Sequence, residues 1–163
     1  MMKVHDYDGD GKDELSIVLY VGSGTGYSVE QLHMLEIGKE EAPYRDNELK
    51  ETDYLDQVDQ AVQFKVIPDG DKASGELTVG SEVYPVSLPD YSLSEFGSIN
   101  ENLVLGNIVR FSTENGTMIA NFGVGYTCAN FVSPVFFGNL YANVRYMDGK
   151  FSLSDFRFTE DEQ

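Results

Sequence analysis

Apolar and polar residues alternate along most of this chain, and glycine repeatedly breaks the alternation. Leu15-Ser16-Ile17-Val18-Leu19-Tyr20-Val21 is a short, β-branched apolar run, which predicts a buried strand. The glycines of Gly22-Ser23-Gly24-Thr25-Gly26 predict a turn after it. Val29, His33, Leu35 and Ile37 then share one face at a period of two, which predicts a second strand. Leu32 and Met34 fall outside that pattern, in helical spacing. Residues 38–52, acidic and holding Pro43, read as a loop. The one good helical stripe is Tyr54, Leu55, Val58, Ala61 and Val62. With Thr52 as a cap and Asp53 and Asp56 near the positive end, it predicts a short helix near 53–61.

Beyond the helix the chain reads as a run of hairpins. Phe64 and Val66 lead to Pro68-Asp69-Gly70-Asp71, and Leu77 and Val79 lead to Gly80-Ser81 and on to Tyr84, Val86 and Leu88. A polar stretch, 89–102, interrupts. Val109 and Phe111 lead to Asn115-Gly116, the strongest short hairpin signal in the chain. Met118, Ala120, Phe122 and Val124 alternate after it. Leu140, Ala142, Val144 and Tyr146 lead to Asp148-Gly149. Phe151 and Leu153 return, and Phe156 and Phe158 follow a register shift. The acidic tail from Glu160 is expected to fray. The pattern predicts a mainly β fold, an antiparallel sandwich or barrel of hairpins, as a single domain over residues 1–163.

Charge changes the picture. The 163 residues hold 28 acids against 11 Lys and Arg, a net charge of −17. Phosphate backbones and anionic membrane surfaces would be repelled, which disfavours nucleic acid as a partner and leaves cations and basic proteins. No apolar run is long enough for a transmembrane helix. With Cys128 alone, no intramolecular disulfide can form, and its apolar neighbours Tyr126, Ala129 and Phe131 predict a buried thiol.

The candidate chemistry lies at the start, in Asp6-Tyr7-Asp8-Gly9-Asp10-Gly11-Lys12-Asp13-Glu14. Hard cations take several oxygen ligands converging on one point. Asp6, Asp8 and Asp10 at alternate positions supply them, Gly9 and Gly11 allow tight wrapping, Lys12 offers its carbonyl, and Glu14 closes the loop. Asp13 is expected to face solvent. Carboxylates crowded into nine residues repel one another without a cation. One Ca2+ ion is therefore favoured over a bare acidic turn. An EF-hand is excluded, because its twelfth loop position would be Ile17 and a strand follows in place of a helix.

This loop, with Leu15 and the strand behind it, resembles the calcium loop of FG-GAP or VCBS-type repeats and is similar to integrin α-subunit propeller loops. The resemblance implies ligands at Asp6, Asp8, Asp10, the Lys12 carbonyl and Glu14. One such loop is present, so it does not imply a full propeller. Gly22–Gly26 with Val29–Glu36, and Gly138-Asn139-Leu140 with Asp148-Gly149-Lys150-Phe151, resemble bacterial exported or lipoprotein-like chains that carry a single loop near the start.

Other features carry less. Gly22–Gly26 lacks the Gly-Lys-Ser/Thr ending of a phosphate loop. His33, on a face with Leu35 and Ile37, reads as a core histidine, and His5 as a solvated neighbour of the metal loop. The opening Met1-Met2-Lys3-Val4 leaves little room for the strand such a loop needs, so a leader removed from the chain is expected. The functional expectation is a non-enzymatic, calcium-stabilised binding or interaction module. Its location is extracellular or at the cell envelope, where calcium is abundant, and its partner there is a protein or carbohydrate. The alternatives are an acidic inhibitor of a basic protein and a hydrolase with an unrecognised carboxylate pair.

Overall fold

Strands joined by two-residue glycine turns pair antiparallel, and that rule builds nearly all of the molecule. The computed structural model describes residues 1–37, 44–88 and 91–161. In chain order these form β1 (Met2–His5), β2 (Glu14–Gly24), β3 (Tyr27–Ile37), β4 (Tyr44–Glu48), α1 (Glu51–Ala61), β5 (Val62–Asp69), β6 (Lys72–Val79), β7 (Glu82–Ser87), α2 (Leu93–Phe96), β8 (Ile108–Glu114), β9 (Thr117–Cys128), β10 (Phe131–Met147) and β11 (Lys150–Glu160). The large sheet runs β1-β2-β3-β8-β9-β10-β11, with β4 also on β3, and β5-β6-β7 form a second sheet. The architecture is a β sandwich, not a closed barrel.

The turns explain the hairpins. Asn115-Gly116 and Asp148-Gly149 each close a two-residue loop with both residues at positive φ, the geometry that matches strand twist. The β5–β6 turn lies one residue later than the sequence suggested, at Gly70-Asp71, because Asp69 pairs with Lys72 and Gly70 takes the positive φ. The predicted register shift in β11 is a bulge. Asn143 pairs with Ser154 and Tyr141 with Arg157, so Ala142 faces two residues, and Asp155 takes a φ of +53°.

One join in the large sheet is parallel and short: Ser28 with Ile108 and Val29 with Val109. Beyond it the sheet curls back on itself. In a flat sheet β3 and β10 would lie three spacings apart, about 14 Å. Instead the Tyr146 hydroxyl on β10 donates to Glu36 Oε1 on β3 at 2.7 Å and accepts from Asn47 Nδ2 on β4 at 2.6 Å. Val18, Leu32 and Met34 are thereby buried with Phe111, Met118 and Val144. Over the other end of the same inner face lie α1 and the small sheet, through Tyr54 on Phe122, Phe64 on Phe137 and Tyr84 on Phe158.

Several expectations are corrected. On β3 the core face is Leu32, Met34 and Glu36, not the face of His33 and Leu35, because the inner face must meet β10, while Val29 packs partly buried against the core. β2 runs through Gly24, and a bulge between Tyr20 and Gly22 absorbs the irregular glycines, so Thr25-Gly26 alone form the turn. The expected loop 38–52 contains β4 and the start of α1, while Pro43 and its neighbours 38–42 lie outside the described residues. The helix begins two residues before the expected 53, with Lys50 in the cap position and no side-chain cap bond. Thr52 lies inside it, bonded to Asp53. Residues 93–96 of the polar stretch form a helical turn, tied down by Asp71 through Ser92 Oγ and the Ser94 N–H, both at 2.7 Å. The acidic tail is held through Asp161, whose N–H donates to the Phe137 carbonyl.

The small sheet has two exposed edges, and both are blocked alike. On β5 the outward Val66 N–H donates to Glu101 Oε1 at 2.8 Å, and the next outward position is Pro68. On β7 the outward Ser87 N–H donates to Glu160 Oε1 at 3.3 Å, and the neighbouring outward position is Pro85. A proline has no N–H to offer another chain, so these edges resist strand addition.

Packing predicts the cost of two glycine changes. A Cβ at Gly138 would lie 2.5 Å from the Phe158 ring and 2.5 Å from the Thr159 carbonyl, whereas one at Gly22 would meet nothing within 4 Å. In urea unfolding, Gly138→Ala is expected to cost about 2–3 kcal/mol and Gly22→Ala to fall within about 0.5 kcal/mol of wild type. Equal costs would show that β10 and β11 are not packed this closely.

Candidate metal centre

Residues 6–13 connect β1 to β2, and the register Met2 with Ile17 to His5 with Glu14 clamps both ends of the loop. Inside it the carboxylates organise the backbone. Asp6 Oδ1 accepts the Gly9 N–H at 2.8 Å and its Oδ2 the Gly11 N–H at 3.0 Å. Asp8 Oδ1 accepts the Asp10 N–H at 3.0 Å, and Asp10 Oδ1 the Lys12 N–H at 2.8 Å. Gly9 and Gly11 stand at φ +78° and +85° with open space around them, so it is the backbone twist that calls for glycine there. Tyr7 pins the loop to the sheet: its hydroxyl bonds Ser16 Oγ at 2.8 Å, and its N–H donates to Glu14 Oε2 at 2.8 Å.

The result is a cluster. Asp6, Asp8 and Glu14 each present one carboxylate oxygen, and these lie within 4.8 Å of one another. A triangle with sides of at most 4.8 Å puts each oxygen within about 2.8 Å of its centre, near the 2.3–2.6 Å of calcium ligation. Of the five expected ligand residues the structure gathers these three. The exposed Asp10 holds the Lys12 N–H, and Lys12 is likewise exposed. Asp13 faces solvent, as expected.

Glu14 differs from the other loop acids in being buried, at 3% exposure. Its pKa is raised, first by burial and then by the charges of Asp8 and Asp10, against the lowering effect of the Tyr7 N–H. Across the strand pair its partner is Glu36, also 3% exposed, so two buried carboxyl groups sit side by side. Glu36 receives the Tyr146 hydroxyl. The pKa of that phenol is pushed far up, first by burial, then by its bond to Glu36 and by the charges of Glu36 and Glu14, with Arg45 opposing. The sequence reading missed Glu36, Asn47 and Tyr146. The signal was there in the two-residue spacing of Leu32, Met34 and Glu36.

The remaining candidates separate. His33 lies on the outer face, not in the core, and its Nδ1 pairs with Asp46 Oδ1 at 3.0 Å. His5 packs edge-on against Tyr7 at 5.5 Å. Cys128 is buried, which raises its thiol pKa, as a structural cysteine requires. A groove of about 830 Å³ runs past Pro68, Tyr91 and Cys128. Its described lining holds one carboxylate, Glu101, already bonded to Val66, and no histidine. No helix among the described residues is long and apolar enough to cross a membrane. No family model, curated protein or solved structure matches the chain.

Glu14 gives a signed pH prediction. A raised folded-state pKa means that the metal-free fold favours the protonated acid, and this contribution is lost as pH rises through the raised value. Glu14→Gln keeps an acceptor for the Tyr7 N–H and removes the charge. Without metal, its stability relative to wild type is expected to improve as pH rises from 4 to 7, measured by urea unfolding at each pH. A flat difference would show that Glu14 is not strained by its burial.

Proposed function

We propose that this chain is a calcium-stabilised, non-enzymatic binding or interaction module of an exported protein, holding one Ca2+ in the Asp6–Glu14 loop in a structural role. The observation that carries the reading is the convergence of Asp6, Asp8 and Glu14. Three carboxylates supply hard oxygen ligands and the charge to match a divalent ion, and backbone hydrogen bonds hold two of them in place before it arrives. Asp10 and the Lys12 carbonyl complete the set after a small inward movement of the exposed half of the loop. Such an ion would neutralise Glu14 at the edge of the buried Glu14–Glu36 pair and tie β1 to β2. That effect is on stability, and it suits the calcium-rich surroundings of the cell envelope. Saturated ligation also leaves little room for polarising a substrate.

Calcium binding to the folded state alone stabilises it by about 2.7 kcal/mol at a hundred times its dissociation constant. For a domain of this size that corresponds to a melting-temperature rise of roughly 5–10 °C. Thermal unfolding of protein stripped with chelator, with and without calcium, is the measurement. Asp8→Ala and Asp10→Ala are each expected to abolish the rise. Identical melting of wild type in calcium and in chelator would overturn the reading.

A further inference from the structure

The outer face of β8–β11 is richer in arginine than the rest of this acidic molecule, although it also carries Glu114 and Asp155, the latter accepting from the Asn143 amide at 3.0 Å. The inner residues of these strands are buried, so the alternate residues point to the opposite side. One straight cross-strand row on that side is Arg110, Asn121, Tyr141 and Arg157, each paired with the next. Asn143 and Arg145 lie one and two rows along on β10, on the same face. Three of the chain's four arginines therefore stand together here. Arg110 and Arg145 make no ion pair among the described residues, although acids outnumber basic residues 28 to 11. Arg157 reaches only the Asn143 amide, at 3.3 Å. In the middle of the row the Asn121 side-chain oxygen is shielded from solvent and has no hydrogen-bond partner among the described residues.

We propose that this face binds an extended acidic polysaccharide of the uronic-acid class, with Arg110 and Arg157 on carboxylates, the Asn121 amide nitrogen on a hydroxyl between them, and Tyr141 against a sugar ring. Guanidinium groups grip carboxylates with two parallel hydrogen bonds. The Asn121 nitrogen can donate to a sugar hydroxyl. A tyrosine ring supplies an apolar platform with a polar rim. The row spans three strand spacings, about 14 Å, which calls for an extended ligand and not a single ion. Charge alone favours other anions equally, but two are disfavoured. Nucleic acid carries one charge per ~1.7 Å, a density that two arginines about 14 Å apart do not match. An acidic peptide pairs best with an open strand edge, whereas this row lies across the face of the sheet.

The proposal deepens the binding-module reading by naming a partner class, and it uses none of the loop residues. Short oligomers of galacturonate, mannuronate and glucuronate are the probes, with the methyl-esterified galacturonate oligomer and oligoglutamate of matched length as comparisons. Titrations by calorimetry are run without and with calcium, because uronates bind that ion themselves. At least one uronate oligomer is expected to bind saturably, at least tenfold more tightly than the ester and than oligoglutamate. Arg110→Gln with Arg157→Gln is expected to weaken it at least tenfold, and Tyr141→Ala by a comparable factor. The double arginine variant should keep the wild-type melting temperature and any calcium-induced shift, since both side chains are exposed. Failure of all three oligomers to bind, equal binding of oligoglutamate, or binding unchanged in the variants would each overturn the proposal. A melting shift that persists with calcium while no uronate binds would leave the metal reading standing and remove this one.

Discussion

Two backbone pairs, at Ser28 and Val29 on β3 against Ile108 and Val109 on β8, join the halves of the large sheet. So short a seam lets the halves rotate about it, and the fold depends on what then holds them face to face. The shared apolar core, which holds Leu32 and Met34 of one half with Met118 and Val144 of the other, supplies attraction without direction. Direction comes from the Tyr146 hydroxyl, which accepts from Asn47 and donates to Glu36. That chain of bonds forms in a single registration of the halves, and misplacing it would leave a buried carboxyl and a buried phenol without partners.

The same demand bears on where the acidic loop sits. Glu36 is fixed in the interior by Tyr146, and its strand partner Glu14 is the residue that closes the loop. A buried carboxyl next to another is costly unless a proton or a cation compensates it. In the metal-free state burial raises the pKa of Glu14, so the fold disfavours its charged form. A divalent ion held by Asp6, Asp8 and Glu14 would offset that charge. The loop and the core are thus coupled through one residue.

Much of this was legible in the chain. The hairpins at Asn115-Gly116 and Asp148-Gly149 could be read because positive φ at two successive positions restricts residue choice sharply. The bulge at Asp155 showed as a break in the alternation between Leu153 and Phe156. The convergence of Asp6, Asp8 and Glu14 could be read because these acids are local in sequence. What failed was long-range. Which face of β3 meets the core depends on β10, more than a hundred residues away, and the buried Glu36 made the inner face look polar. β4 escaped notice because Tyr44-Arg45-Asp46-Asn47-Glu48 has no apolar alternation, and its strand state comes from pairing with β3 alone. His33 shows the same limit, since its partner Asp46 comes from that hidden strand.

The acidic excess also reads differently once partners are assigned. From composition alone, 28 acids suggest a polyanionic surface made for a basic protein. Several of these side chains are instead acceptors for backbone N–H groups that the sheets leave open. Glu30 accepts Phe111 N–H where β8 parts from β3, Glu101 and Glu160 serve the two edges of the small sheet, Asp71 starts α2, and Asp6 folds the acidic loop. Gln57 on α1 does the same for Leu153 on β11. A carboxylate suits this role because it accepts strongly and cannot donate, so it ends a ladder without offering a new one. Acids placed for this purpose are spread along edges and turns, wherever a sheet is incomplete. Such placements account for five of the 28 acids, and they leave the arginines on the outer face of β8–β11 as a feature that edge protection does not explain.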